Sequence, residues 1–184
     1  LLLMQIIKEW KFSKKYDVIK ILHNNSRKEI ILEVCMLDVD YMRIAISEAK
    51  ISDKMGEVPV GAVITNAEGQ IIAQGHNLRK TTNDPTAHAE IITIRLACQK
   101  LSTYHLNNCS IYVTLEPCIM CFGAILNSRI SHIFYGTAYT GACSLSLEEN
   151  NLYPHPTIRA GVLKNECDKL IETLLQRRKE KALQ

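Results

Sequence analysis

Two short stretches decide the fold: Thr86-Ala87-His88-Ala89-Glu90 and Leu115-Glu116-Pro117-Cys118-Ile119-Met120-Cys121. Together they contain the patterns H-x-E and P-C-x-x-C, and each opens a predicted helix just after a loop or a strand. Cys118 and Cys121 are three positions apart, so they share one face of a helix. Their thiolates would lie at the helix N-terminus, where the backbone dipole and free N–H groups favour negative charge.

The combination of His88, Cys118 and Cys121 predicts a zinc site. One nitrogen and two sulfur ligands suit tetrahedral zinc and leave one position open, whereas a structural zinc site usually has four protein ligands. An open position can hold water and lower its pKa towards neutrality. Glu90 is then the predicted catalytic residue, because a carboxylate two positions from a ligand can take the proton of that water and return it to a ring nitrogen and a leaving amine.

Each pattern alone is weak, and two other interpretations of the cysteines exist. Cysteines at a helix start can simply be packed thiols, and C-x-x-C also occurs in disulfide redox proteins. A redox role would leave the upstream His88-Ala89-Glu90 and the preceding Glu116-Pro117 as coincidences. The joint pattern therefore favours a catalytic zinc site.

Hydrophobic patterning predicts an α/β fold around these motifs. Val39–Lys54 has apolar residues at helical spacing, and the β-branched run at 58–65 predicts a buried strand whose hairpin partner is Gln70–Gly75. The further predicted elements are a helix from about His88 to Lys100, a strand Cys109–Leu115, a short helix ending near Asn127, a strand Ser131–Tyr135, a loop over 136–156 and a last helix of about Asn165–Ala182. Alternating strands and helices predict a sheet with helices on both faces.

The starts of the two ligand-bearing helices carry their own signals. Asn83-Asp84-Pro85-Thr86 offers a capping side chain and a proline near the first turn. Pro117 suits the first turn of the next helix, where its missing N–H is no loss.

The composition is that of an ordinary globular protein in a reducing compartment. The 184 residues are 47% apolar and 22% charged, with a net charge of +3 that permits a nucleic-acid partner without arguing for one. No apolar run approaches the length of a membrane span, so we expect no membrane partner. The seven cysteines are odd in number and lie mostly in apolar stretches. We therefore expect a cytoplasmic protein without a disulfide framework.

His88-Ala89-Glu90 and Pro117-Cys118-Ile119-Met120-Cys121 resemble the signature of the cytidine-deaminase-like zinc deaminases. Phrases around the motifs make the chain similar to the bacterial tRNA adenosine deaminases within that group. They are Glu57-Val58-Pro59-Val60-Gly61-Ala62-Val63, Asp84-Pro85-Thr86 before the histidine, Tyr112-Val113-Thr114 before Leu115, Gly123-Ala124-Ile125 and Asn127-Ser128-Arg129-Ile130. The resemblance covers about residues 38–181.

The resemblance implies a three-layer α/β/α sandwich with a mixed five-stranded sheet, Zn²⁺ as cofactor and a homodimer with active sites near the subunit interface. It implies hydrolytic deamination of the wobble adenosine to inosine in the anticodon stem-loop of a tRNA, specifically an arginine tRNA. Three residues would bind the substrate. By resemblance, Asn77 hydrogen-bonds the flipped base, Val60 forms a wall of the base pocket, and the backbone N–H of Cys118 helps to hold the attacking hydroxide.

The chain departs from the family in two places. The loop Gly136–Ala142 is two residues shorter than usual and lacks the family's Asp and Lys. In the last helix, Leu174 and Leu175 stand where the family often has paired aromatic residues, and leucine cannot stack on a base as an aromatic ring does. The basic run that follows, Arg177-Arg178-Lys179, either contacts phosphate or is a solvated helix end.

Two other functions stay open. A guanine, cytosine or nucleoside deaminase of the same fold shares the zinc motifs and can share residues 84–90. A non-catalytic zinc-stabilised RNA-binding module would have no use for Glu90 as a proton shuttle.

The N-terminal segment is interpreted separately. The chain begins Leu1-Leu2-Leu3-Met4, and residues 1–35 match neither a signal peptide nor a transit peptide. We interpret 1–35 as an upstream extension, disordered or not native, and 36–184 as the zinc-dependent deaminase domain.

Overall fold

The computed structural model describes residues 18–24, 29–138 and 155–182 and divides the chain into two compact units, 1–37 and 38–184. The first unit contains an antiparallel hairpin of β1 (Val18–Asn24) and β2 (Glu29–Cys35). No strand was predicted for this segment. Both strands are rich in β-branched valine and isoleucine, which favour extended backbone.

The second unit is built on one mixed five-stranded sheet, as expected. Its strands are β3 (Gly61–Thr65), β4 (Ile71–His76), β5 (Ser110–Leu115), β6 (His132–Thr137) and β7 (Thr157–Ala160), in the order β4-β3-β5-β6-β7. Strand β3 pairs antiparallel with both β4 and β5, which forms the predicted hairpin on one side. The pairs β5–β6 and β6–β7 are parallel.

Five helices accompany the sheet in the described part of this unit. They are α1 (Asp38–Lys54), α2 (Arg79–Thr82), α3 (Ala89–Leu101), α4 (Ile119–Asn127) and α5 (Lys164–Ala182). Helix α1 contacts α5, and α3 contacts α4. Four of them agree with the predicted helices to within one or two residues at most ends. Among the described residues, no helix is both long enough and apolar enough to cross a membrane.

Alternation along the strands separates the two faces of the sheet. Ile111 and Val113 of β5 belong to one core cluster with Phe122 of α4, so α3 and α4 cover that face. Tyr112, between them, points the other way because successive side chains of a strand alternate. Its ring packs on Tyr41 of α1, with centroids 4.9 Å apart. Helices therefore cover both faces of the sheet, which gives the expected α/β/α layers.

Two elements of this unit were not predicted. All four residues of β7 are exposed, so no apolar alternation marks that strand. Helix α2 is a single turn for which no element was predicted from the sequence. Residues 139–154 of the predicted loop over 136–156 lie outside the described residues.

Helix α5 is seated closely against the end of β6. A Cβ atom on Gly136 would overlap the Cys167 side chain and the backbone of Thr114, so only glycine permits this approach. Next to it, the Thr137 hydroxyl donates a hydrogen bond to Asp168. Lys164 Nζ donates to the other oxygen of the same carboxylate at 2.6 Å. Shape and charge together fix the start of α5.

Candidate metal centre and reaction cavity

The predicted site residues lie together at one end of the strands of the sheet. Because β4 and β5 are both antiparallel to β3, their C-terminal ends meet at the same edge, where β3 begins and parallel β6 also ends. Asn77 directly follows β4, and Val60 directly precedes β3. The Asn77 N–H donates to the Val60 carbonyl at 3.2 Å. Cys118 follows the end of β5 by three residues, so the topology brings all three positions together.

The start of α3 is organised by a distant side chain. His88 is the capping residue, and its side chain makes no capping hydrogen bond. Instead Asn77 Oδ1 accepts from the Ala89 N–H at 2.7 Å, while Asn77 Nδ2 donates to the Val58 carbonyl at 3.1 Å. The Asn77 side chain is buried, with 4% exposure for the residue. It therefore ties the first turn of α3 to the segment before β3.

The sequence signals for helix starts were only partly right. The Asp84 side chain does not cap α3, because its Oδ1 accepts from the Thr86 N–H at 2.8 Å and from the Thr86 hydroxyl at 2.6 Å. These bonds form a local turn that ends before the helix. Pro117 lies just outside α4 rather than in its first turn, since Cys118 is the capping residue.

The three predicted ligands converge. His88 Nδ1 lies 3.7 Å from Cys118 Sγ and 3.4 Å from Cys121 Sγ, and all three ligand atoms are within 4.8 Å of one another. Tetrahedral zinc with ordinary bond lengths separates a nitrogen and a sulfur ligand by about 3.6 Å. The donor set and its spacing therefore fit Zn²⁺. Both cysteines are free thiols facing His88, which does not support a disulfide role.

Hydrogen bonds at the start of α4 favour the thiolate form of one ligand. Hydrogen bonds from the Cys121 thiol and His88, with a further one from the Cys121 backbone, lower the pKa of Cys118 to about 3. The adjacent Cys118 sulfur, followed by burial, raises the pKa of Cys121. One thiolate is thus already favoured at this helix N-terminus, the form in which cysteine binds a metal.

Glu90 lies beside the ligands without joining them. It is 3% exposed and is not part of the His88, Cys118 and Cys121 cluster. Burial, as the largest cause, raises the pKa of Glu90 to about 7. A carboxyl group that titrates near neutral pH can both take up and release protons during a reaction cycle.

A cavity of about 640 Å³ opens over this cluster. Val60, Asn77, His88, Glu90 and Cys118 all line it, and the buried Cys121 lies behind the lining, 3.4 Å from His88 Nδ1. The volume lies in the range of small-molecule sites.

Other parts of the lining were not named as site residues, although Leu174 and Leu175 stand where the family often has paired aromatic residues. Arg79 of α2 and a row of α5 side chains, Ile171, Leu174 and Leu175, face the same cavity. The α5 row has helical spacing, but spacing alone does not distinguish a cavity wall from an ordinary packing face. The Arg79 position carries no sequence signal, because α2 has no periodic pattern.

The mixed sheet and the His/Cys/Cys centre with a buried carboxylate define a zinc-dependent deaminase. Residues 36–137 match the family described as the cytidine and deoxycytidylate deaminase zinc-binding region. The chain belongs to this family.

Its relatives include enzymes of more than one kind. It is 41% identical over 149 residues to the tRNA-specific adenosine deaminase of Bacillus subtilis (strain 168), which covers 77% of this chain and 92% of that protein. A solved structure from a study of A-to-I editing by tRNA:A34 deaminases at the wobble position of transfer RNA superposes with a TM-score of 0.68 at 34% identity, covering 71% of this chain and 98% of that one. The guanine deaminase of the same Bacillus is 45% identical over 95 residues, 52% of this chain and 60% of that protein.

Proposed function

We propose that this chain hydrolytically deaminates the wobble adenosine of a tRNA anticodon to inosine. The observation that carries the proposal is the likeness to a tRNA-specific adenosine deaminase along 92% of that protein's length. It extends past the zinc motifs, whereas the likeness to guanine deaminase spans 95 residues. The reaction consumes one water and releases ammonia from the purine C6.

Zinc bound by His88, Cys118 and Cys121 would supply Lewis acidity that makes water nucleophilic at neutral pH. Glu90 would accept the proton that the water loses on attack and deliver it to the ring nitrogen beside C6. Glu90 would then take the remaining proton from the oxygen added at C6 and pass it to the amino group, which leaves as neutral ammonia. The burial and raised pKa of Glu90 support both transfers.

Asn77 and Val60 are the proposed base-binding residues. Asn77 Nδ2 uses one hydrogen on the Val58 carbonyl, and an amide nitrogen carries two. The second hydrogen is available for an acceptor nitrogen of the purine ring. Val60 contributes an apolar wall to the cavity, and the Cys118 N–H is the proposed donor to the attacking oxygen. A base in this cavity must leave its stack, as in other enzymes that act on nucleobases.

The finer assignments are part of the same proposal. The substrate is an arginine tRNA read at its anticodon stem-loop, and the enzyme is a homodimer. Exposed apolar side chains support an interface near the zinc site, because Ile119 in the first turn of α4 is 68% exposed and Leu96 of α3 is 43% exposed. Reduced thiols at the metal support a cytoplasmic setting. Deamination of a panel of tRNA transcripts tests the arginine tRNA as substrate, and sedimentation of the zinc-loaded protein tests the homodimer.

Guanine deaminase is the second candidate, favoured by the 45% identity over residues that include the zinc motifs. The deciding experiment incubates the full chain with an anticodon stem-loop carrying adenosine at the wobble position, and separately with guanine, cytosine and free adenosine. Inosine in the stem-loop is the expected product. Xanthine from guanine, with an unchanged stem-loop, would instead assign the chain to the second candidate.

A further inference from the structure

A second cavity, of about 230 Å³, adjoins the reaction cavity. Arg79 and Val58 line both cavities, and Glu57, Lys80 and Pro85 complete the second one. Arg79 and Lys80 are consecutive, exposed and positively charged. The proton transfers at the zinc site make no use of this cavity.

The backbone that carries the two basic residues is held firmly. The buried Glu57 carboxylate accepts hydrogen bonds from the Lys80 and Thr81 N–H groups, both at 2.8 Å, and from the Thr81 hydroxyl at 3.0 Å. Lys80 Nζ donates to the Gly56 carbonyl at 2.6 Å. The shared rim of the two cavities is therefore a fixed turn, and a ligand that binds there pays little entropy for ordering it.

The charge of Arg79 is available to a ligand. No carboxylate among the described residues lies within ion-pair distance of its guanidinium, whereas Arg43 and Arg159 each pair with an aspartate. The Glu57 carboxylate also lines the second cavity, but its Oε1 already accepts three hydrogen bonds from Lys80 and Thr81. The exposed charges of Arg79 and Lys80 therefore attract a polyanionic strand to the α2 side of the cavities.

We propose that the second cavity binds a phosphodiester group adjacent to the target adenosine, with Arg79 as the phosphate-binding residue and Lys80 beside it. This rests on the proposed function, since a free base has no phosphodiester. A guanidinium suits the task because its planar N–H donors match two phosphate oxygens. The base enters the reaction cavity while its backbone stays at the rim that Arg79 occupies.

The first test compares Arg79→Gln with Arg43→Gln, which removes the same charge from an exposed position outside both cavities. Deamination of the anticodon stem-loop is measured as kcat and KM over a range of salt concentrations. Arg79→Gln should lower kcat/KM about tenfold, mainly through KM, and reduce the slope of its logarithm against log salt by about 0.7. Arg79→Lys should keep most of the slope, and Arg43→Gln should change neither quantity.

The second test alters the RNA and leaves the protein intact. Stem-loops carry a neutral methylphosphonate at the linkage on the 5′ or the 3′ side of the target adenosine. One of the two should slow the unaltered protein as much as Arg79→Gln does and should not slow Arg79→Gln further. Independent effects of protein and RNA changes at both linkages would overturn the proposal, as would an Arg79→Gln variant that behaves like Arg43→Gln.

Failure of this site differs from failure of the proposed function. If the unaltered protein converts no stem-loop adenosine, both are overturned together. If it converts the stem-loop normally and neither Arg79→Gln nor either neutral linkage matters, the phosphate site alone is wrong. Zinc content and thermal unfolding of each variant confirm that the compared proteins are folded.

Discussion

The two helices that carry the ligands begin in different ways. At α3, the first N–H is capped by Asn77, twelve positions before Ala89 in the chain. At α4 the capping residue is Cys118, a proposed ligand as His88 is at α3, and hydrogen bonds from the Cys121 thiol, from His88 and from the Cys121 backbone lower the pKa of Cys118. One ligand is therefore placed by a tertiary contact and two by local sequence. The comparison predicts that damage to each start has a distinct signature.

The largest effect is expected from Cys118→Ala, which removes a residue that is both a proposed charged ligand and the capping residue of α4. Zinc content should fall towards zero, deamination should vanish with it, and thermal stability should drop because metal binding is coupled to folding. Metal analysis, a deamination assay and thermal unfolding measure the three. Cys98→Ala is the control, since Cys98 is a half-buried free cysteine outside the cluster. A zinc-replete Cys118→Ala protein would contradict the assigned ligand set.

Glu90→Gln should leave both helix starts intact while removing the proton carrier. The variant should keep its zinc, because Glu90 lies outside the ligand cluster. Turnover should fall towards the upper end of the roughly 10²–10⁴-fold range typical of general acid–base catalysis, since one carboxylate serves several transfers. The same metal analysis and assay apply. Loss of zinc would make Glu90 a ligand, and retention of most activity would refute its role as proton carrier.

Asn77→Ala breaks the tertiary cap of α3 and should have an intermediate effect. The buried Ala89 N–H loses its partner, whereas the Val58 carbonyl keeps the Ser52 hydroxyl and the Val60 N–H. The change should cost about 1–3 kcal/mol of unfolding free energy. Activity should fall about tenfold or more with zinc retained, because base recognition is affected as well.

The control for that variant is Asn66→Ala, whose side chain bonds to Gln70 across the exposed β3–β4 turn. It should cost about 1 kcal/mol or less and leave deamination unchanged. Denaturant unfolding and stem-loop kinetics measure both variants. A destabilised Asn77→Ala protein with a normal rate would make Asn77 a loop-ordering residue only.

Removal of residues 1–35 should have the smallest effect. The compact unit that contains both helix starts begins at Asp38, so a chain starting at Met36 should bind zinc and deaminate at the full rate. Metal analysis and the stem-loop assay compare it with the full chain. A truncated protein that folds but has lost activity would show that the segment takes part in the function.

The difference between local and long-range contacts also explains which features could be predicted from the sequence. Spacing within one helix turn predicts that Cys118 and Cys121 lie together, and position along the chain puts Glu90 near His88. The approach of His88 to the cysteines spans thirty positions and was expected only from the joint pattern. Strand β5 agrees with the predicted strand Cys109–Leu115, and its residues 111–114 are buried. The exposed β7 offers no such pattern, and its pairing with β6 is visible only in three dimensions.

Contacts between distant segments explain the rest. Asn77 was identified only through a family resemblance, and its cap on Ala89 follows from the return path of the chain after β4. Arg79 reaches the cavity because Glu57, twenty-three positions before Lys80, anchors the turn that carries it. No local propensity encodes either contact. In contrast, the capping side chain predicted within 83–86 does not cap α3, because Asp84 bonds to its neighbour Thr86 and the capping residue is His88.

Because α5 packs directly on Gly136, residues of strand β6 and of helix α5 can change only together. A larger residue at 136 would lever the whole helix outward, since the Cys167 side chain already fills the space. The leucines that α5 contributes to the cavity wall would move with it. A substitution at 136 would thus change the range of accepted substrates, although this position contacts neither the metal nor the substrate. A chimera that takes the last helix from a relative therefore also needs the β6 residues against which that helix packs.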